Sequence, residues 1–417
     1  MTTPQTPLDR PHPMPLGPAT ATAAAVAGGG MGGGMGGGMG GGMGGGMGGG
    51  MGGGMGGGMG GGMGGGMGGG MGGGMGGGGL TDNISSHEAL LRSRAALANP
   101  AETTAYSTPQ WPDFIEPGTP PAQDCAERLA RWDAWVVPYI VLPRILCGLR
   151  VQSAPDRSSC QLLAGTAATQ TLNIVRPSVD LFKEQLKDTI ADAELREDRA
   201  PEILMQTQNV TAFFATVLPL TPARTPATLQ LLGIANQVAL FVEMQMKHIF
   251  ACARPVEHSP QVQPMITTPG HGTYPMGHGC EAQLTARLLA ALTLPVGGAN
   301  PTWDALAHQL DRLAERIAEN RIVSGVHFKV DQLAGKALGD ALADYLVAYG
   351  QATGTPTATL SQRSFDPADP PPPGSADPQV AVALSPTDER REWLHIWQRA
   401  RLEWGWLNRQ AAALGTP

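Results

Sequence analysis

Three short stretches of the chain carry residue types that together could hold a tetrahedral oxyanion and act on it. Lys247 and Arg254-Pro255 form the first, Tyr274-Pro275-Met276-Gly277-His278 the second, and Arg321, His327 and Asp331 the third. They supply three cations, a turn rich in backbone amides and two histidines, one with a carboxylate four residues after it. Lys247 and Arg254 are seven residues apart. On a helix that is two turns, so both could face one point, with Arg bringing a planar fork and Lys a compact charge. Pro255 is expected to end that helix. Taken alone, this stretch is better explained as two solvated cations on a helix face.

The second stretch, Thr267 to Gly279, reads as a loop from its Gly and Pro content and leads directly into an apolar helix from Cys280. Its last amides should sit at a helix N-terminus, where unpaired N–H groups and the macrodipole favour an anion. His278 stands at that edge, suited to proton transfer, or simply to capping the helix. In the third stretch, the spacing of four puts Asp331 and His327 on one helical face. A carboxylate bound to one ring nitrogen leaves the other as a lone pair, as a nucleophile or a metal ligand requires.

The elements that must position these residues are helical in pattern. Helical periodicity runs through Cys125–Arg150, Val175–Glu197, Ile203–Val217, Pro226–Cys252, Cys280–Leu294, Trp303–Glu319 and His327–Tyr349, and strand signals are nearly absent. A capped helix is expected from Ser85-Ser86, then a Pro-rich connector from Pro100 to Pro121. A last amphipathic helix from Pro386 to Leu414 carries Trp393, Trp397, Trp404 and Trp406, an aromatic face suited to the core or to a dimer contact. The expected fold class is all-α, a large helical bundle spanning residues 81–417, with the chemistry confined to 240–350.

Residues 1–80 are set apart. From Met31 to Met75 the sequence repeats Gly-Gly-Gly-Met with period four, and each Gly costs a helix roughly 1 kcal/mol against Ala. A disordered arm is expected, about fifty residues spanning on the order of 40 Å. The net charge of −7 comes without a block of like charges, which argues against nucleic acid as a partner. No uninterrupted apolar run reaches the roughly 18 residues of a membrane helix, and no secretory signal is evident, so no membrane span and a cytoplasmic location are expected. The five cysteines lack paired spacing and read as reduced thiols.

The motifs Lys-x6-Arg-Pro, Pro-x-Gly-His and Arg-x5-His-x3-Asp, in this order, resemble the vanadium-dependent haloperoxidases and the related type 2 phosphatidic acid phosphatases. They span Lys247 to Asp331, about a fifth of the 417 residues. The resemblance implies an all-helical fold, with two packed helix bundles, and vanadate as cofactor, with His327 as the vanadium ligand. Lys247, Arg254 and Arg321 would neutralise the equatorial oxygens, Met276 and Gly277 would line the oxyanion through their amides, and His278 would serve as acid–base. His271, seven residues before His278, is similar to a histidine of the bromoperoxidase-type branch. With His278, Lys247 and Asp331 it completes the implied catalytic set. Met276 departs from the family's Pro-Ser-Gly-His, replacing a hydroxyl donor by a thioether that cannot donate.

The leading expectation is a vanadate-dependent haloperoxidase that oxidises bromide or iodide with hydrogen peroxide to hypohalous acid. Its partners would be peroxide, halide and a small organic acceptor, and it would form a homodimer with the Trp-rich last helix as candidate surface. A soluble acid phosphatase that forms a phosphohistidine at His327 is the alternative. A third reading is an oxyanion-binding homologue impaired by Met276.

Overall fold

The computed structural model describes residues 136–405, apart from 296–297, 353–355 and 370–374, together with residues 129, 132 and 133. The Gly-Met repeat, the helix expected from Ser85-Ser86 and the Pro-rich connector lie outside these residues, as does Trp406. In chain order the helices are α1 (Val137–Leu146), α2 (Val179–Ala191), α3 (Arg196–Gln206), α4 (Pro226–Phe250), α5 (Pro255–His258), α6 (Gly277–Thr293), α7 (Pro301–Val323), α8 (Lys329–Gln351) and α9 (Arg391–Glu403). The strands are β1 (Leu149–Ser153), β2 (Ser159–Ala164), β3 (Thr169–Val175), β4 (Thr357–Ser361), β5 (Arg363–Phe365) and β6 (Gln379–Ala383).

Helix α6 is the axis of the molecule. Of its 17 residues 14 are buried, because α4, α7 and α8 pack around it. Small residues allow the closest crossing: a Cβ at Gly335 of α8 would lie 2.4 Å from the Met276 carbonyl oxygen, and one at Gly339 2.6 Å from that of Cys280. Either side chain would force α8 away from the start of α6, where the second motif stands.

The fold is mostly helical but not all-α, which corrects the sequence expectation. Strands β1, β2, β3 and β5 form a four-stranded sheet, antiparallel except for the parallel β3–β5 pair. Strands β4 and β6 form a separate antiparallel pair. The expected helix over Cys125–Arg150 ends at Leu146. From there the hairpins alternate well enough to bury Cys160, Leu162, Leu172 and Ile174 on one side, a period of two that breaks at the register shift between Leu162 and Leu163. The sheet anchors the site loop, since the Tyr274 hydroxyl donates to the Val175 carbonyl at 2.8 Å.

The Trp-rich helix resolves in favour of the core. Trp393, Trp397 and Trp404 are buried, and the indoles of Trp393 and Trp404 donate to the Leu346 carbonyl (3.1 Å) and the Thr228 hydroxyl (3.0 Å). Those three side chains are therefore not a surface for a second copy. The stretch Pro226–His258, which includes α4, is long and apolar enough to cross a membrane, and 56% of its most apolar window is buried inside the protein. That corrects the count of uninterrupted apolar residues, because a few polar side chains do not lower the average enough.

Candidate active site

Lys247 sits in the last turn of α4, which ends at Phe250 rather than continuing to Pro255. Ala251 caps it in the left-handed region (φ 47°), its amide donating to the Lys247 carbonyl. Arg254 follows in extended backbone as the N-cap of α5. The two cations thus reach the site from a helix end and a loop, not from one helical face. Beyond them the chain turns back, and Lys247 Nζ donates to the carbonyls of Gly272 (3.3 Å), Thr273 (3.2 Å) and Pro275 (2.5 Å). All three ammonium protons are spent holding the loop. Burial depresses Lys247 to about 8.

Arg254 is the hub of the site. Its Nε donates to the His271 carbonyl (3.0 Å) and its Nη1 to the Val326 carbonyl (2.9 Å). Nη1 also approaches His327 Nε2 at 2.9 Å, and Nη2 approaches His271 Nδ1 at 3.0 Å. A guanidinium can only donate, so both of those ring nitrogens present lone pairs. On the far side of His327, Nδ1 lies 3.0 Å from Asp331 Oδ2. The same oxygen accepts from the Thr273 hydroxyl (2.5 Å) and the Phe328 amide (2.8 Å). Asp331 therefore fixes the His327 proton on Nδ1 and leaves Nε2 as the reactive nitrogen. Burial holds His327 well below the usual imidazole range, with Arg254 and Lys247 adding to the effect, while burial pushes Asp331 up to about 6.

Arg321 comes from the last turn of α7. Its Nη2 donates to the Ile203 carbonyl (2.8 Å) and Gln206 Oε1 (3.1 Å), which α3 brings alongside. Arg321 is 1% exposed, yet its Nε and Nη1 have no partner. Arg196 fixes the neighbouring loops by donating to the carbonyls of Val262, Gln263 and Val323.

Helix α6 starts at Gly277 with Met276 as N-cap, so the amides of Gly277 and His278 have no intrahelical acceptor. The Met276 amide is not available, because it donates to the Asp331 carbonyl at 2.9 Å. The Met276 side chain is fully buried in a small apolar cluster with Ala318 and Ile322 of α7. It does not line the pocket, contrary to the expectation that this residue would face the oxyanion. His278 does line it, but its Nε2 lies 3.2 Å from the Gln206 carbonyl, so that nitrogen carries the proton. Burial, with Arg321, depresses His278 to about 3. Burial likewise takes His271 to about 4, with Lys247 and Arg254 contributing. Both are neutral at pH 7.

One pocket gathers these groups. Its wall includes Arg254, His271, Gly277, His278, Arg321 and His327, but not Lys247, Met276 or Asp331. It also includes two residues the sequence reading passed over, Glu243 of α4 and Glu281 of α6. Both are buried. Burial, reinforced by Glu281, raises Glu243 well above the carboxylate range, and Glu281 stands at about 7. The signal for Glu243 was available: a lone acid in the apolar run Val238–Met246, one turn before Lys247. Gln206 and Thr273 gave no such signal.

The donor set suits a tetrahedral oxyanion such as vanadate or phosphate. Arg321 with its two orphaned N–H groups, Arg254, Gly277 and His278 at the start of α6, and His327 all line this one pocket. Among the described residues no group of three or more His, Cys, Asp and Glu side chains is arranged to hold a metal ion directly. The four described cysteines are free thiols.

No protein-family model matches the sequence, and no curated protein matches it. Among solved structures, the chain is similar to a transmembrane PAP2-type phosphatidylglycerolphosphate phosphatase from Bacillus subtilis, at 17% identity and a TM-score of 0.24. The match covers 41% of this chain and 76% of that one. A likeness of that degree assigns no family.

Proposed function

We propose that the pocket is the active site of a vanadate-dependent haloperoxidase that oxidises bromide or iodide with hydrogen peroxide. The observation that carries this reading is the state of His327. Asp331 ties up Nδ1, Nε2 stays unprotonated and accepts only from Arg254, and Arg321 on the same pocket has unpaired N–H groups. Vanadate, when bound, would supply the Lewis acid that activates peroxide. His327 Nε2 would hold it, Arg254 and Arg321 would neutralise its oxygens, and the amides of Gly277 and His278 would donate to it. Neutral His278, with its proton on Nε2, keeps Nδ1 as the nitrogen that can accept a proton from peroxide, while His271 Nδ1 accepts from Arg254. Lys247 acts at one remove, by holding the 272–275 loop.

A second reading, hydrolysis of a phosphomonoester, draws on Glu281. Its carboxyl, at about 7, is poised to give up a proton at neutral pH, as a leaving alcohol requires. His327 Nε2 would attack phosphorus as the bond to the leaving oxygen breaks and that oxygen takes the Glu281 proton. Water would then displace His327 and return the proton to the carboxylate.

Both reactions are assayed on one preparation. Vanadate-loaded protein should brominate a dye acceptor in a peroxide-dependent way, and His327→Ala should not. Aryl phosphate hydrolysis by vanadate-free protein, inhibited by added vanadate, with no bromination after loading, would replace the first reading by the second.

A further inference from the structure

The pocket contains a contradiction that points to a specific role for Glu243. A site lined with Arg254 and Arg321 is built for an anion, yet the Glu243 carboxyl faces the same enclosed space. It is 2% exposed, and its Oε2 has no hydrogen-bond partner. The absence of a side chain at Gly277 leaves room for it, since a Cβ there would lie 2.6 Å from Oε1 and displace the carboxyl. Glu243 thus reaches the N-terminus of α6. An ionised carboxylate there would repel the ligand and compete for the arginine N–H groups. A carboxylic acid would instead add a donor beside them.

We propose that Glu243, as the neutral acid, donates a hydrogen bond to the oxyanion held by Arg254 and Arg321. The proposal rests on the oxyanion reading above and adds a proton-dependent contact to it. The surroundings favour the neutral form. Burial and the Glu281 carboxyl on α6 raise Glu243, outweighing Lys247 on its own helix and Arg254 beyond it. The other titratable groups around the pocket are the Cys280 thiol, which burial keeps protonated, the neutral imidazoles of His271, His278 and His327, and the Arg321 guanidinium.

Sulfate is the probe, because it keeps the same charge from pH 6 to 9. Binding to the full-length wild type, Glu243→Gln and Glu243→Ala is measured by calorimetry across that range. At pH 6 Gln should bind within about threefold of wild type, since its amide still donates. Ala should bind about 10- to 100-fold more weakly, the range of a lost hydrogen bond to a charged group. Toward pH 9 the wild type should lose affinity more steeply than Gln. Losing the Glu243 charge lowers Lys247, which would shift the Gln variant the opposite way, so the lysine cannot produce that difference. Parallel pH profiles for wild type and Gln, or Ala binding as tightly as wild type at pH 6, would overturn the proposal. The Gln comparison stands even where Ala does not fold. If Arg321→Met abolishes binding while both Glu243 variants match wild type, only this proposal fails. If wild type binds sulfate at no pH, the oxyanion reading fails with it.

Discussion

Arg321 makes the sharpest test of the site, because its two possible roles predict opposite results. The guanidinium is 1% exposed, and it satisfies only Nη2, through Ile203 and Gln206, while Nε and Nη1 remain unpaired. A buried charge with two empty N–H groups is costly in the ligand-free protein. Desolvation accordingly pulls Arg321 down to about 10. Arg321→Met keeps much of the volume and removes the charge. Each charge-assisted hydrogen bond to a ligand contributes about 1.5–3 kcal/mol. Losing two should therefore weaken oxyanion binding by about 3–6 kcal/mol, roughly two to four orders of magnitude at 1.36 kcal/mol per tenfold. Stability should move little or rise, since replacing a buried, incompletely satisfied charge by an apolar side chain is often neutral or stabilising. Against that, the Ile203 carbonyl and Gln206 lose one donor. The assay is calorimetric titration with vanadate or phosphate beside thermal melts with and without ligand. In the wild type the ligand should raise Tm, and in the variant that rise should vanish. A variant that melts far lower yet binds the anion unchanged would show Arg321 to be a structural strut and would refute the assignment.

Four further outcomes are expected. Asp331→Asn leaves His327 without the acceptor that fixes its tautomer, so kcat should drop by about a hundredfold or more, as for loss of a comparable orienting carboxylate. Oxyanion affinity should change by less than tenfold, and an unchanged kcat would remove Asp331 from the mechanism. Met276→Ser should not raise turnover, because the side chain points between Ala318 and Ile322. It should instead lower stability by about 2–5 kcal/mol, in the range of a large-to-small core substitution, and a gain in kcat would show the orientation to be wrong. The pH dependence of stability follows from two opposed sets. His271, His278 and His327 stay neutral in the fold while the unfolded chain charges near 6.5, so they cost stability as pH falls below that. Glu243, Glu281 and Asp331 are protonated in the fold before their unfolded counterparts near 4, so they add stability as pH falls. The urea midpoint should be nearly flat from about pH 6 to 4.5. A Glu243→Gln/Glu281→Gln double variant should lose about 1.4 kcal/mol per pH unit for each uncompensated proton, and a flat profile in that variant would contradict the balance. Finally, Glu403→Ala should destabilise the protein by about 1–2 kcal/mol through loss of a helix cap, read from denaturant midpoints.

Much of the site was legible because its residues are chemically unusual where they stand. A histidine with an acid four residues on, after an arginine at a helix end, has few ordinary uses, and the structure places His327 and Asp331 in contact. What could not be read depends on how the backbone turns. Lys247 looked like a ligand contact, but the 272–275 loop folds back and takes all its donors. Met276 looked like a lost donor, but as N-cap its side chain leaves the helix toward α7. The sheet was missed because the alternation breaks where Leu162, Leu163 and Ala164 are buried in succession, at a register shift, and where Thr171 and Leu172 are buried side by side. Glu243 has only Lys247, one turn on, as a spacing partner, and that pair reads as an ordinary helix contact; only the fold brings Gly277 against it.

The two oxygens of Glu403 bind the start of α4, accepting from the amides of Ala227 (2.7 Å) and Thr228 (2.9 Å) and from the Thr228 hydroxyl (2.7 Å). Helix α4 then runs unbroken to Phe250. At 1.5 Å per residue, Thr228 lies about 28 Å from Lys247. Glu403 therefore acts as a stop that sets how far this rigid rod is pushed into the protein. Glu243 and Lys247 sit near its other end, so the depth at which Glu243 meets the pocket and Lys247 meets the 272–275 loop is gauged from the last turn of α9. Glu403 thus ties the last turn of α9 to the start of the helix that carries Glu243 and Lys247, so α9 bears on a site it never touches.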